Sequence, residues 1–282
     1  MQYLARAYAK TNLFLDVVSK RTDGYHNINT VMQSLSIHDE ISLELCEKGI
    51  AVLCDNNSIE GDENIAYSAC KVFLDYAKID VGVRITINKN IPVAAGLGGG
   101  SADAAAVLML LNKATGKNFP VNELIPLAAK LGADVPFFLV GGTAKAEGIG
   151  EILTPLPHTE LNIVLLKQKD KQSTGKMYGM LDSAESIIHG DFEAFLHSLN
   201  KGDLESLSNE IFNSFESCWD INDLFKDFTA YNPIKTFLSG SGPTVCALFK
   251  TESEAELCAN ALKADGNIAF YVRSMPIGVE IV

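Results

Sequence analysis

The segment PVAAGLGGGSADAAA at residues 92–106 decides how the rest of the chain is read. Gly96, Gly98, Gly99 and Gly100 stand directly before an alanine-rich helical pattern, where free backbone N–H groups and the helix dipole favour an anion. Glycines this dense remove the Cβ atoms that would keep N–H groups from closing around oxygens, and Ser101 adds a hydroxyl able to reach a phosphate or Mg²⁺. Ser101 is also expected to cap the helix, which runs on as ADAAAVLMLLNKATG and closes near Gly116. Taken alone, the loop also allows a plainer but less favoured reading, a flexible turn at a helix start. Two better-known loops do not fit. A P-loop ends in Gly-Lys-Ser/Thr, whereas here Ser101 follows Gly100 with no lysine. A dinucleotide fingerprint wants glycine at the position of Ser101 and a strand entering without Pro92.

Upstream of the loop, residues 12–18, 41–46 and 82–88 run or alternate as strands, with a helical stretch at about 64–78. Downstream, a second helix over roughly 121–131 follows Pro120, and GGTAKAE reads as a strand. The prolines of TPLPHTE at 154–160 mark an inter-domain crossing. Beyond it lie a strand (NIVLLK), helices over about 174–182, 190–199 and 203–214, strands IKTFLS and TVCALF, a helix at 252–264 and a last strand near 269–273. A chain of 282 residues is longer than one core comfortably serves, so the pattern is α+β with two domains, 1–155 and 156–282.

Acidic residues outnumber basic ones by 35 to 23, a formal charge of -12, which argues against a nucleic-acid partner. Any phosphate must therefore be held locally, by backbone N–H groups, a few lysines or a metal ion. The six cysteines form no C-x-x-C pair and have no histidine at zinc spacing, so buried reduced thiols are expected. The start MQYLARAYAK has no long apolar core, and nowhere do 18 uncharged apolar residues run together, so a cytoplasmic protein with no membrane partner is expected.

The loop P-x-x-x-G-L-G-G-G-S-A-D-A-A resembles the second motif of the GHMP kinases. Two further motifs of that superfamily occur in the right order, AKTNLFL at 9–15 and LSGSGPTV at 238–245, so the resemblance spans nearly the whole chain. KRTDGYH at 20–26, TVMQSL at 30–35, GADVPFF at 132–138 and GIGE at 148–151 are similar to the branch that phosphorylates a cytidine-diphosphate derivative of methylerythritol. The resemblance implies a ribosomal-protein-S5-like N-terminal domain, a ferredoxin-like C-terminal domain, and transfer from ATP with Mg²⁺ to the 2-hydroxyl of the acceptor. A kinase of the same fold with another acceptor, or a nucleotide-binding homologue without catalysis, are the alternatives.

Within that frame Pro92, Gly96, Leu97, Gly98, Gly99, Gly100 and Ser101 are expected at ATP, with adenine contacts somewhere in 89–97, and Ser101, with Asp134 as a second candidate, as the contact to an Mg²⁺ held mostly by phosphate and water. Asp134 is a lone carboxylate in an apolar segment, and burial unpaired would be costly, so a cation is expected beside it. The resemblance brings Lys10 there, making Lys10 and Asp134 the proton-accepting pair. On the residues alone, Asp134 reads as a helix N-cap and Lys10 as an exposed strand-edge lysine. For the acceptor, His26 suits the hydrogen-bonding edge of cytosine, and Tyr25 with Tyr178 suits its two faces. Tyr25 and His26 read equally as a turn leading into a strand. Asn12 is placed to support substrate hydroxyls or Lys10. Gly240, Ser241 and Gly242 form a tight turn that the family sets near substrate, or else a simple β-turn. A monomer or weak homodimer is expected.

Overall fold

The computed structural model describes residues 1–56, 59–168, 173–184 and 187–282. Two long antiparallel strands, β1 (Gln2–Lys20) and β2 (His26–Cys46), form its spine. Only their ends, 12–18 and 41–46, look strand-like in sequence. Among the intervening residues Thr30, Gln33, Ser34 and Asp39 are polar but buried and hydrogen-bonded, as when Gln33 Oε1 accepts from Thr143 Oγ1 at 2.6 Å. Irregularities in register fall between Tyr8 and Ala9, Asn12 and Phe14, and Val17 and Ser19. Such bulges bend a strand and re-aim its side chains, and Lys10 and Asn12 sit between the first two.

The strands β3 (Ile50–Cys54) and β4 (Gly82–Asn88) extend the sheet beyond β2, with helix α1 (Ile65–Ala77) between them in sequence, capped by Asn64. Helix α2 (Gly99–Ala114) follows the glycine loop. It is buried on nearly every side from Ala102 to Leu111, and its alanines let β1, β2 and α1 approach closely. It begins two residues before Ser101, with left-handed Gly98 at the cap and no side-chain capping bond, so the expected serine cap is replaced by glycine geometry. Next come α3 (Val121–Ala129) and α4 (Val135–Val140), the latter the helix that an N-cap at Asp134 implies. β5 (Thr143–Glu147) and β6 (Ile152–Leu156) pair as a hairpin against β2. The prolines of 154–160 thus begin inside an edge strand, where a missing N–H is tolerated.

A second sheet starts at β7 (Asn162–Lys167). Helices α5 (Thr174–Asp182), α6 (Phe192–Lys201) and α7 (Leu204–Glu210) follow. The helix expected to continue to 214 stops at Glu210, because Phe212 and Asn213 form a short strand, β8, alongside Phe14 and Leu15 of β1. After α8 (Ile221–Phe225) come β9 (Lys235–Leu238), β10 (Thr244–Phe249), α9 (Glu252–Ala264) and β11 (Ile268–Met275). The order β11-β7-β10-β9, antiparallel throughout, is the ferredoxin-like arrangement.

The chain end returns to the first sheet. Ser274 and Met275 pair with β2, and β12 (Val279–Ile281) pairs with β1, a strand absent from the sequence reading. Its approach has no room for side chains: a Cβ on Gly278 would lie 2.3 Å from the Phe138 carbonyl oxygen, and one on Gly141 would lie 1.9 Å from the Gly278 nitrogen. Gly278→Ala is therefore expected to destabilise the protein by about 2–3 kcal/mol, read as a lower denaturant midpoint. Gly175→Ala, with no atom within 4 Å of the added carbon, serves as the comparison.

Candidate active site

The glycine loop is shaped by what it touches. Ala94, Gly96 and Gly98 all have positive φ, of 58°, 79° and 72°. A Cβ on Gly96 would fall 2.7 Å from the carbonyl oxygen of Gly242 and 2.9 Å from that of Ser239, so the loop lies against the SGSGP turn. Ser239 Oγ donates to the Gly96 carbonyl at 3.2 Å, and Thr244 N to that of Ala95 at 3.3 Å. On the other flank the Lys10 N–H donates to the Leu97 carbonyl at 2.9 Å. A Cβ on Gly98 would meet the Phe138 ring at 2.7 Å and Lys10 Cγ at 2.9 Å. The helix start is thus pressed against the lysine stem.

Outside this turn opens a cavity of about 560 Å³. Pro92, Gly96, Leu97, Gly98, Gly99, Gly100 and Ser101 all line it, though the Leu97 side chain itself is buried. The opposite wall, Ile59, Glu63, Asn64 and Ile65 at the start of α1, was missed in the sequence. Asn64 as a helix cap was the available signal, with nothing to link it to the distant loop. Gly99 has ordinary helical φ, so its small size answers a packing need: a Cβ would sit 3.1 Å from Ile91 Cγ2 and 3.3 Å from Lys89 Nζ.

Lys10 is 5% exposed, deep within β1, and so is no strand-edge lysine. Its ammonium donates to Asn12 Oδ1 at 2.8 Å and stands 3.4 Å from Asp134 Oδ2. Asn12 is fixed in turn, its amide donating to Thr30 Oγ1 at 2.8 Å, and Thr30 Oγ1 to the Phe14 carbonyl at 2.6 Å. Asp134 precedes α4 but makes no capping bond. Its side chain is 39% exposed, which corrects the premise of a buried carboxylate. It faces open space with the ammonium behind it.

The SGSGP turn closes over this pair. A Cβ on Gly240 would lie 3.5 Å from Asn12 Oδ1 and 3.7 Å from Lys10 Nζ, and φ is +57° there and +84° at Gly242. Ser241 Oγ lies 3.1 Å from Thr174 Oγ1 on α5. Asn213, unmarked in sequence, holds the turn by donating to the Leu238 and Gly240 carbonyls, each at 2.8 Å.

His26 and Tyr178 meet at one side. Their rings stack at 4.4 Å with an angle of 17°, and Tyr178 rests edge-on against Phe215. Burial pushes the Tyr178 phenol up to about 12, with the charge of Asp134 adding to the effect. His26 is buried, and its Nε2 lies 2.8 Å from Asp182 Oδ1, whose carboxyl is held below the usual range by hydrogen bonds from Lys20 and His26. Tyr25 does not join the other rings. It is 60% exposed on the turn, and the Tyr178 face expected to oppose it is covered by His26.

Among the described residues no group of three or more His, Cys, Asp or Glu side chains could hold a metal ion. The donor set suits a hard cation carried on phosphate and water, with Ser101 in the first turn of α2 within the cavity wall. Among the described residues no helix is long and apolar enough to cross a membrane.

This arrangement has close counterparts. The family model described as GHMP kinases N terminal domain matches residues 64–142, and that described as GHMP kinases C terminal matches 184–268. A 4-diphosphocytidyl-2-C-methyl-D-erythritol kinase of Clostridium acetobutylicum is 41% identical over 277 residues, covering 96% of this chain and 99% of its own. One from Acetivibrio thermocellus is 41% identical over 265 residues, with 92% and 94% covered. A crystal structure of 4-(cytidine 5'-diphospho)-2C-methyl-D-erythritol kinase superposes with a TM-score of 0.81 at 33% identity, covering 97% of this chain and 99% of that one. L. major mevalonate kinase in complex with R-mevalonate shares the fold, with a TM-score of 0.73 at 19% identity over 96% and 95%.

Gly98→Ala is expected to weaken binding of an adenine nucleotide by ~10-fold or more, because the new methyl combines left-handed strain with displacement of Phe138 and Lys10. Calorimetric titration with ADP, alongside the unfolding midpoint, separates this from loss of fold.

Proposed function

This chain belongs to the 4-diphosphocytidyl-2-C-methyl-D-erythritol kinases of the GHMP superfamily, and on that premise we propose how its residues carry the phosphoryl group from ATP to the 2-hydroxyl of that acceptor. It is a kinase of isoprenoid precursor biosynthesis. One observation carries the reading of the site: the start of α2 and the Lys10–Asp134 pair are in contact, through the missing Cβ of Gly98. A donor phosphate held at the first turn of α2 therefore ends beside a carboxylate able to receive an acceptor hydroxyl.

Phosphoryl transfer asks the protein mainly for positioning and charge stabilisation. The N–H groups of Gly98 to Ser101 hold the phosphate chain, and the base occupies the cavity between Pro92 and the start of α1. Asp134 orients the 2-hydroxyl and accepts its proton as the oxygen attacks. Lys10, kept in place by Asn12, lies against both the carboxylate and the transferred group, countering the charge that builds there. Mg²⁺, when bound with ATP, neutralises phosphate oxygens, and Ser101 is the side chain in position to touch it. Gly240, Ser241 and Gly242 close the turn around the substrate.

His26 recognises the cytosine edge, with Tyr178 as its ring support and the exposed Tyr25 ring as a separate cover that stacks on the free face of the base. In this reading residues 1–155 carry the donor site and residues 156–282 supply Tyr178 and the SGSGP turn. The enzyme works in the cytoplasm as a monomer or weak homodimer.

The direct test is incubation of the pure protein with ATP, Mg²⁺ and 4-diphosphocytidyl-2-C-methyl-D-erythritol. ADP and a product bearing one more phosphate, on the 2-hydroxyl, are expected, and ADP only with another alcohol would overturn the acceptor. His26→Ala is expected to raise the KM for the cytidine substrate by ~10-fold or more, as for loss of one or two polar contacts, and to leave the KM for ATP near its wild-type value. Equal rises in both would give His26 a folding role instead.

A further inference from the structure

The seat proposed for the base has a support that the phosphoryl transfer itself does not use. Helix α5 sets Tyr178 and Asp182 one turn apart, hence on one face. Both meet the ring of His26: Tyr178 stacks on it with centroids 4.4 Å apart, and Asp182 Oδ1 lies 2.8 Å from Nε2 at its edge. His26 opens β2 and is the register partner of Lys20 at the end of β1. The Lys20 ammonium holds the other oxygen of the same carboxylate, Oδ2, at 2.5 Å. Asp182 therefore divides its two oxygens, one to a lysine and one to the imidazole. The remaining ring nitrogen, Nδ1, makes no hydrogen bond among the described residues and is not sealed from solvent. It is the polar atom that the ring has left to offer a ligand.

This division decides where the imidazole proton sits. The Asp182 carboxyl is held below the usual carboxylate range, by the hydrogen bond from Lys20 first and that from His26 second, and an ionised carboxylate can only accept. The bond at 2.8 Å is then donated by Nε2–H. In a neutral ring, a proton on Nε2 leaves Nδ1 a bare acceptor, the tautomer being set by the bond that the opposite nitrogen makes. Lys20 matters because it already matches the charge of the carboxylate, so the ion pair is complete with the imidazole neutral. An acceptor at that point discriminates between pyrimidines. Cytosine presents an exocyclic N4 amine, which donates, whereas uracil carries at the same place O4, which accepts.

We propose that Asp182 is the specificity-determining positioning residue of the base site: by holding the proton of a neutral His26 on Nε2 it keeps Nδ1 an acceptor, so that a 4-amino pyrimidine is taken and its 4-keto counterpart rejected. The proposal rests on the reading of His26 as the contact to the base edge, and supplies what makes that contact selective. Asp182 acts through the ring, from its other nitrogen. Rejection follows from the same lone pair as recognition, because with uracil two acceptors would face each other and neither would be satisfied. Asp182→Asn reverses the sense. Lys20 can only donate, so it draws the amide oxygen to the Oδ2 position, and the amide NH₂ turns toward Nε2. Nε2 must then accept, the ring proton moves to Nδ1, and the base meets a donor.

Two measurements on the full chain test this. At pH 8, ¹⁵N NMR of the His26 ring, assigned by its absence from His26→Ala, is expected to show Nε2 protonated and Nδ1 bare in the wild type, and the reverse in Asp182→Asn. Steady-state kinetics compare 4-diphosphocytidyl-2-C-methyl-D-erythritol with the same ester carrying uracil in place of cytosine. The cytidine-to-uridine ratio of kcat/KM is expected to fall by ~10-fold or more in Asp182→Asn, through the KM of the pyrimidine substrate and not that of ATP. Should Asp182→Asn fail to fold, the wild type decides: cytidine 5'-diphosphate must shift the bare Nδ1 resonance and uridine 5'-diphosphate must leave it in place. A wild-type ring protonated on Nδ1, equal losses with both substrates, or a cytidine preference that survives the switch of tautomer overturns the proposal and leaves the cytidine reading standing. A wild type indifferent to the two bases overturns the reading of His26 and this proposal with it.

Discussion

The buried ammonium of Lys10 is the constraint around which the site is organised. An uncompensated charge inside a strand would cost several kcal/mol, and here it is compensated from two directions. Asn12 Oδ1 accepts its hydrogen bond at 2.8 Å and Asp134 stands at 3.4 Å, while the SGSGP turn packs beside it at Gly240. Each partner comes from a different part of the chain. The glycine at position 98 is required for the same reason, since its absent side chain is where the lysine stem runs. Satisfying one charge thereby gathers β1, the turn before α4, the start of α2 and the loop between β9 and β10.

That gathering explains how a chain with net charge -12 can handle polyphosphates. In the proposed reading, attraction is supplied by oriented N–H groups at a helix start, with two lysines, Lys10 and Lys89, packed against the glycine loop and each matched to carboxylates. The acidic balance of the surface has no bearing on so local a device.

The strands and helices with strong periodicity, such as 82–88, 174–182 and the alanine-rich α2, were legible in sequence because each signal is local. Most of β2 before Ile41 was not, because Thr30 and Gln33 are polar residues whose hydrogen-bond partners, Asn12 and Thr143, are far away in sequence. The start of α2 was placed two residues late because Ser101 is a familiar cap, while the cap in fact depends on the left-handed backbone of Gly98. The candidate site was named mostly from motifs, and the structure brings Lys10, Asn12, Asp134 and Gly240 together. Tyr25 stands apart from the ring pair formed by His26 and Tyr178. Asp182 and Asn213 gave no signal at all, since a supporting carboxylate or amide looks like any other until its partner is known.

The central claim is that Asp134, backed by Lys10, acts on the acceptor hydroxyl. Steady-state kinetics of Asp134→Asn test it most directly, because the amide keeps the shape and removes both the proton acceptor and the charge opposite Lys10. The account predicts a kcat lower by ~10²-fold or more with modest changes in either KM, the range typical for loss of a positioned base. A folded Asp134→Asn protein that keeps most of its kcat would contradict it.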